Sequence, residues 1–166
     1  MENSIKIYSL ASNEIRTYLV SALFVIGNIL LPQLCHLLPL GGLMWQPIYF
    51  FTLIGAYKFG WRVGLLTAIL SPMVNTLLFD MPTMAVLPLV LIKSVTLAVV
   101  ASGVARKLQA VHFVALVGVV LAYQIIGGVI DALFFSSLNL ALQSLYIALP
   151  GMFVQVIGGY FVIKNI

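Results

Sequence analysis

The sequence predicts an all-α membrane protein, a bundle of six transmembrane helices that forms one domain over residues 1–166. The first observation is composition, because 63% of the residues are hydrophobic, 7% are charged and the mean hydropathy is +1.17. A soluble domain carries about 25% charged residues, so this chain has too few to form a water-facing surface. The second observation is that the apolar runs are continuous over about 20 residues, as membrane-spanning helices require. They lack the alternation that is typical of barrel strands.

The apolar runs define six predicted spans, at residues 15–38, 47–58, 61–79, 84–105, 112–135 and 140–163. The first run exceeds the ~7–15 apolar residues of a signal peptide, so we expect a retained helix. The second is short against the usual span of about 20 residues. Either it begins earlier, at Gly42, or the outer part of the bundle dips inward there. The hinge YKFGWR, around Gly60, permits only a tight turn, which makes the second and third spans antiparallel neighbours.

Positively charged residues provide the third observation, because they fall on one side of the predicted membrane. If the spans alternate, seven of the eight Lys and Arg residues share that side: Lys6, Arg16, Lys58, Arg62, Arg106, Lys107 and Lys164. The opposite loops, near residues 39–46, 80–83 and 135–140, contain none. Cytoplasmic loops carry the excess of Lys and Arg. We therefore predict cytoplasmic termini in a multi-pass protein of the cytoplasmic (inner) membrane, with the lipid bilayer as its solvent.

The sequence lacks the residues that several classes of function require. Because the basic residues lie at helix ends and form no patch on one exposed face, we expect no nucleic-acid binding. The sequence has no Gly-x-x-x-x-Gly-Lys-Ser/Thr motif for ATP and no constellation placed for catalysis, so we predict that the chain is not an enzyme. Cys35 and His36 would point about 100° apart on a helix, which makes them poor joint metal ligands. We expect no metal and no cofactor; a corrinoid with either residue as axial ligand is a minor alternative.

Lys93 is the eighth basic residue and lies inside the fourth predicted span. An ammonium near the middle of a membrane helix costs about 2.5–3.5 kcal/mol on insertion scales, so such residues usually face the bundle interior and bind an anion. We predict that Lys93 contacts an anionic group of a cargo molecule. Two alternatives are an ion pair with Asp131 and a side chain that reaches the outer interface. Asp131 could also hold Lys93 until a carboxylate of the cargo replaces it.

Residues 31–50 interrupt the apolar sequence with three prolines and two glycines but no charge. Irregular backbone at membrane depth is tolerated only where it is buried in protein or lines a cavity. We therefore predict that this segment covers a small-molecule pocket at the outer face. The candidate pocket residues, besides Lys93 and Asp131, are His36, Trp45, Gln46, Tyr49 and Asn75. Two alternatives are that the aromatic residues only mark the membrane interface, and that Asn75 satisfies backbone groups freed by a kink at Pro72.

The spaced motifs of the first two thirds of the chain resemble those of one family, the S components of energy-coupling factor transporters. They are Leu31-Pro32 followed by His36, the run GGLMWQP at 41–47, Gly55, Gly64, Ser71-Pro72, Met81-Pro82 and Arg106-Lys107. The chain departs from the pattern at Trp45-Gln46, where a histidine is expected, and at Lys93, where an acid is expected. Both departures lie in the predicted pocket, so the identity of the cargo does not carry over.

The resemblance implies an S-component-like six-helix bundle that binds a vitamin or cofactor precursor with high affinity. It also implies three partner subunits, namely a transmembrane coupling subunit and two cytoplasmic ATPases, which drive uptake. A lysine in place of the acid suits an anionic cargo. The alternative is a stand-alone small helical membrane carrier that is not coupled to ATPases.

Overall fold

The computed structural model describes residues 7–10 and 14–166, and within them the chain is helical with no strand. A 3-10 turn, Pro47–Tyr49, lies between the second and third helices. The helices are α1 Ile15–Cys35, α2 Gly41–Trp45, α3 Phe50–Phe59, α4 Trp61–Phe79, α5 Leu87–Leu108, α6 Phe113–Phe134 and α7 Leu138–Asn165. The all-α prediction is confirmed.

Five of these helices, α1, α4, α5, α6 and α7, are long and apolar enough to cross a membrane. The second predicted span, at 47–58, is not confirmed, because the 3-10 turn and the ten-residue α3 take its place. A helix of ten residues rises about 15 Å, half the thickness of a hydrocarbon core of about 30 Å. The structure therefore supports a multi-pass membrane protein that has, over the described residues, five long apolar helices and the two short helices α2 and α3.

The short helix α3 forms the centre of the bundle. It packs against α1, α4, α5 and α7, and five of its side chains are wholly buried: Thr52, Leu53, Ile54, Ala56 and Tyr57. Its end at Gly60 has φ +95°, a left-handed conformation that favours glycine. A Cβ on Gly64 would lie 2.8 Å from Ala56 Cα. Small residues therefore let α3 and α4 approach closely, and the predicted tight turn between them is confirmed.

Lys58, the basic residue of α3, is hydrogen-bonded to the N-terminal segment and to the C-terminal end of α7. Its backbone carbonyl accepts a hydrogen bond of 2.8 Å from the Tyr8 amide, and its Nζ donates to the Ile163 carbonyl at 3.3 Å. The N-terminal segment and the C-terminal end of α7 therefore meet at the same end of the bundle, which we call the basic end. All other Lys and Arg residues of the described chain except Lys93 flank helix termini here: Arg16, Arg62, Arg106, Lys107 and Lys164.

Candidate functional site

Lys93 lies in the second turn of α5, at the end of the bundle opposite the basic end. Only 8% of its surface is exposed, and its aliphatic stem packs against α6. Among the residues that the structure describes, none accepts a hydrogen bond from Nζ or forms an ion pair with it within 4.0 Å. Lys58, which is also buried, donates to a backbone carbonyl. Lys93 is thus a buried ammonium whose donors are available to a ligand.

Asp131 faces the same region from the last turn of α6 and is 7% exposed. Its carboxylate attracts Lys93 electrostatically, but the two charged groups do not approach within the 4.0 Å of an ion pair. The lysine stem packs on α6 over Gly127. The alternative of a direct ion pair does not describe this structure, and the alternative of a side chain that reaches the outer interface stays a prediction.

A cavity of about 340 Å³ lies beside Lys93, between α6 and α7. Lys93 and Gln124 are its polar lining residues. Its walls are apolar: Ile125, Gly128, Val129, Ala132, Leu133, Leu138, Ala141, Leu142 and Leu145. The volume is within the range of about 300–1,000 Å³ that small-molecule pockets occupy, and a few polar groups in an apolar wall are typical of such sites.

Small residues account for the opening between the two helices. Gly128 and Ala132 are one turn apart on α6, and Ala141 lies across from them on α7. A Cβ built on Gly128 would have no neighbour within 4 Å. Side chains therefore do not fill the space between α6 and α7 near Gly128, and this space adjoins the buried ammonium of Lys93.

Residues 41–49, which comprise α2 and the 3-10 turn, are called the covering segment below. Gln46 of this segment is held by a polar cluster on α6 and α7. Its side-chain oxygen accepts hydrogen bonds from Gln124 Nε2 and, at 3.3 Å, from the Tyr123 hydroxyl. The same hydroxyl lies 2.8 Å from Gln155 Oε1, and Gln155 Nε2 donates to the Gln46 carbonyl at 3.5 Å. Because these groups are buried, their hydrogen bonds stabilise the position of the segment.

Close backbone and ring contacts complete the attachment of this segment. A Cβ on Gly151 of α7 would lie 2.5 Å from the Trp45 carbonyl oxygen, so α2 and α7 approach to a distance that only glycine permits. The rings of Tyr49 and Tyr123 are 5.3 Å apart at 50°. Trp45 is half-buried and Tyr49 is buried. None of the three predicted residues Trp45, Gln46 and Tyr49 lines the cavity directly; Gln46 contacts it through Gln124.

Asn75 lies elsewhere, in a wholly buried cluster around Asn28 of α1. Asn28 Nδ2 donates to Thr52 Oγ1 and Ser71 Oγ, each at 3.1 Å, and Asn28 Oδ1 accepts from the Phe51 amide at 3.2 Å. Asn75 Nδ2 donates to the backbone carbonyls of Asn28 and Ser71, both at 2.9 Å. This cluster joins α1, α3 and α4, and Asn75 does not line the cavity beside Lys93.

His36 is exposed at the end of α1, with Nδ1 2.7 Å from the Pro32 carbonyl. Its ring covers Gly42, because a Cβ there would lie 2.6 Å from His36 Nε2. The predicted site residues therefore occupy three places. Lys93 lines the cavity, and Asp131 lies near Lys93 on α6 but does not line the cavity. The covering segment contributes three residues that contact α6 and α7, and Asn75 and His36 make other contacts.

Two polar residues with central roles were not recognised as candidates in the sequence, Tyr123 and Asn28. Both lie in the interior of long apolar helices, and each has 0% exposure. A polar group in a membrane span usually hydrogen-bonds across helices. That signal was available for both residues, although it does not identify the partner.

No known protein family, no curated protein and no solved structure matches this chain. The similarity to S components therefore rests on the ordered motifs of the sequence.

Proposed function

We propose that the protein is the S component of an energy-coupling factor transporter, and that it binds a small anionic micronutrient for ATP-dependent uptake. One observation carries the proposal, namely the buried Lys93 ammonium, which has no hydrogen-bond partner among the described residues and adjoins a cavity of about 340 Å³. An intramembrane charge is expensive, and a charge that served only stability would be expected to have a partner.

The covering segment supports the same function. A high-affinity receptor must isolate its ligand, and here an uncharged segment is attached over α6 and α7 by the Gln46 cluster. Gln124 belongs both to that cluster and to the cavity lining. A bound carboxylate at Lys93 would lie beside the amide that holds the segment, so ligand binding and closure are coupled through one side chain.

The orientation that we propose is cytoplasmic for the basic end and external for the cavity, in the cytoplasmic membrane. It is supported by the meeting of Tyr8 and Ile163 at Lys58 and by the basic residues around them, since positive charge marks the cytoplasmic side. The basic end would then face the coupling subunit and the two ATPases.

Purification from the native membrane tests the proposal. We expect two ATPase subunits and a larger membrane subunit to co-purify, and native mass spectrometry to detect one anionic small molecule per protein. The Lys93→Met variant should lose that molecule, whereas Lys107→Met, at an exposed lysine of the basic end, should retain it. Recovery of ligand without any ATPase would favour a stand-alone carrier. Retention of the ligand by Lys93→Met would contradict the role of the ammonium.

A further inference from the structure

The walls of the cavity beside Lys93 face the surroundings of the bundle. Leu133 is 70% exposed, Leu138 65% and Val129 52%, although all three line the cavity. The cavity is therefore a groove that opens sideways between α6 and α7, at the level of a predicted membrane. A ligand in it would contact lipid along one side.

The covering segment is attached to α6 and α7 near the ammonium. Gln46 is bonded to α6 and α7 by its side chain and its backbone carbonyl, and the α2 backbone contacts Gly151 directly. A path to Lys93 that passes between Gln46 and Gln124 would require these contacts to break. The groove between α6 and α7 is open in the same structure, since nothing lies within 4 Å of the position that a Cβ on Gly128 would occupy.

From these two features we infer that the ligand is an amphipathic carboxylate that enters sideways from the outer leaflet. Its carboxylate binds Lys93, and its apolar tail lies between α6 and α7. The inference rests on the proposed function in taking Lys93 as the group that receives the anionic cargo. It adds the chemical class of the tail and the route of entry.

Charge and polarity support this occupant over a fully polar one. The lining contains one cationic group and one amide, and the other lining residues are apolar. A sugar or nucleotide would leave its hydroxyl groups without partners in this wall, which costs about 1–3 kcal/mol for each unsatisfied group in general. A single anionic head and an apolar tail leave no group unsatisfied.

The test uses a medium-chain fatty acid that carries a photoreactive diazirine in its alkyl chain, with the protein in phosphatidylcholine nanodiscs. We expect saturable labelling of α6 and α7 at groove residues, mapped by peptide mass spectrometry. Octanoate should compete, whereas acetate and methyl octanoate should not. Lys93→Met should reduce labelling by about tenfold or more, since a hydrogen bond to a charged group is lost.

Two glycines of α6 provide a matched pair of variants, because neither has a neighbour within 4 Å of an added Cβ. Gly128 lines the groove and Gly118 does not. Gly128→Leu should fill the groove and abolish labelling, and Gly118→Leu should leave it unchanged. Labelling that is spread over all lipid-facing helices, or that both Lys93→Met and Gly128→Leu leave intact, overturns the inference. That result would not change whether the ATPases co-purify. The proposed function is therefore tested independently of this inference.

Discussion

The side chain of Lys93 crosses α6 directly over Gly127. A Cβ on Gly127 would lie 2.7 Å from Lys93 Cε and closer still to Cγ. Every larger residue at this position would therefore displace the lysine stem, and the ammonium reaches the cavity because residue 127 has no side chain. The next residue, Gly128, borders open space instead.

This contact predicts that Gly127→Ala and Gly118→Ala differ. We expect Gly127→Ala to displace Lys93, and overpacking of this kind costs about 1–3 kcal/mol. Ligand retention should fall about tenfold or more. Gly118→Ala should bind as the unmodified protein does, because its Cβ contacts nothing and Gly118 does not line the cavity. The measurement is the ligand occupancy of purified protein by native mass spectrometry. Equal occupancy in both variants would mean that the lysine position is not important for binding.

We predict that the hydrogen bonds of the Tyr123 hydroxyl stabilise the covering segment. Tyr123→Phe removes the donor that lies 2.8 Å from Gln155 Oε1 and the acceptor for Gln124 Nε2 at 3.2 Å. An unsatisfied buried polar group costs about 1–3 kcal/mol. We therefore expect a lower unfolding temperature and faster hydrogen exchange at residues 41–49, measured by calorimetry and mass spectrometry.

Tyr146→Phe is the control for that experiment. Tyr146 is 72% exposed on α7, so removal of its hydroxyl should change neither the unfolding temperature nor the exchange rates. If Tyr123→Phe lowers the unfolding temperature without faster exchange at 41–49, the hydroxyl stabilises α6 and α7 but does not hold the segment.

The helical fold was predictable because membrane solvation imposes it on any chain with this composition. The number of full spans was not, since a buried helix such as α3 and a lipid-facing helix have the same apolar sequence. Their lengths differ only because Gln46 and Gly60 adopt left-handed conformations at either side. Hydropathy contains no information on such backbone angles.

Sequence reasoning could place a candidate site residue only where its side chain is energetically unfavourable in lipid. Lys93 could be placed in the interior because its charge is expensive in lipid. The roles of His36 and Asn75 could not be assigned, because the sequence does not show that His36 Nδ1 contacts the Pro32 carbonyl or that Asn75 Nδ2 donates to the Asn28 carbonyl. A polar side chain that binds ligand and one that joins two helices have the same sequence signature.

We predict that replacing Asn28, which lies far from the cavity, lowers the free energy of unfolding substantially. Its Oδ1 accepts from the Phe51 amide, one of the unsatisfied donors in the first turn of α3. Asn28→Leu leaves that amide without its acceptor and the Thr52 and Ser71 hydroxyls without their amide partner, at a cost of about 1–3 kcal/mol for each group left unsatisfied. Thermal unfolding should therefore occur at a clearly lower temperature.

The matched control is Asn139→Leu, since Asn139 is exposed near the start of α7. We expect little change there, because surface substitutions are usually within about 0.5 kcal/mol. Equal unfolding temperatures for both variants would contradict the role of the Asn28 cluster in joining α1, α3 and α4.

Orientation can be tested at the two ends of α7, with Cys35 replaced by serine. Ser136→Cys lies in the turn before α7, and Asn165→Cys lies in its last turn; both positions are exposed. A helix of 28 residues rises about 42 Å, enough to place its ends on opposite sides of a bilayer. In intact cells a membrane-impermeant maleimide should label Ser136→Cys, and it should label Asn165→Cys only after lysis. The reverse pattern would place the basic end outside and the groove toward the cytoplasm, which would exclude uptake through the proposed site.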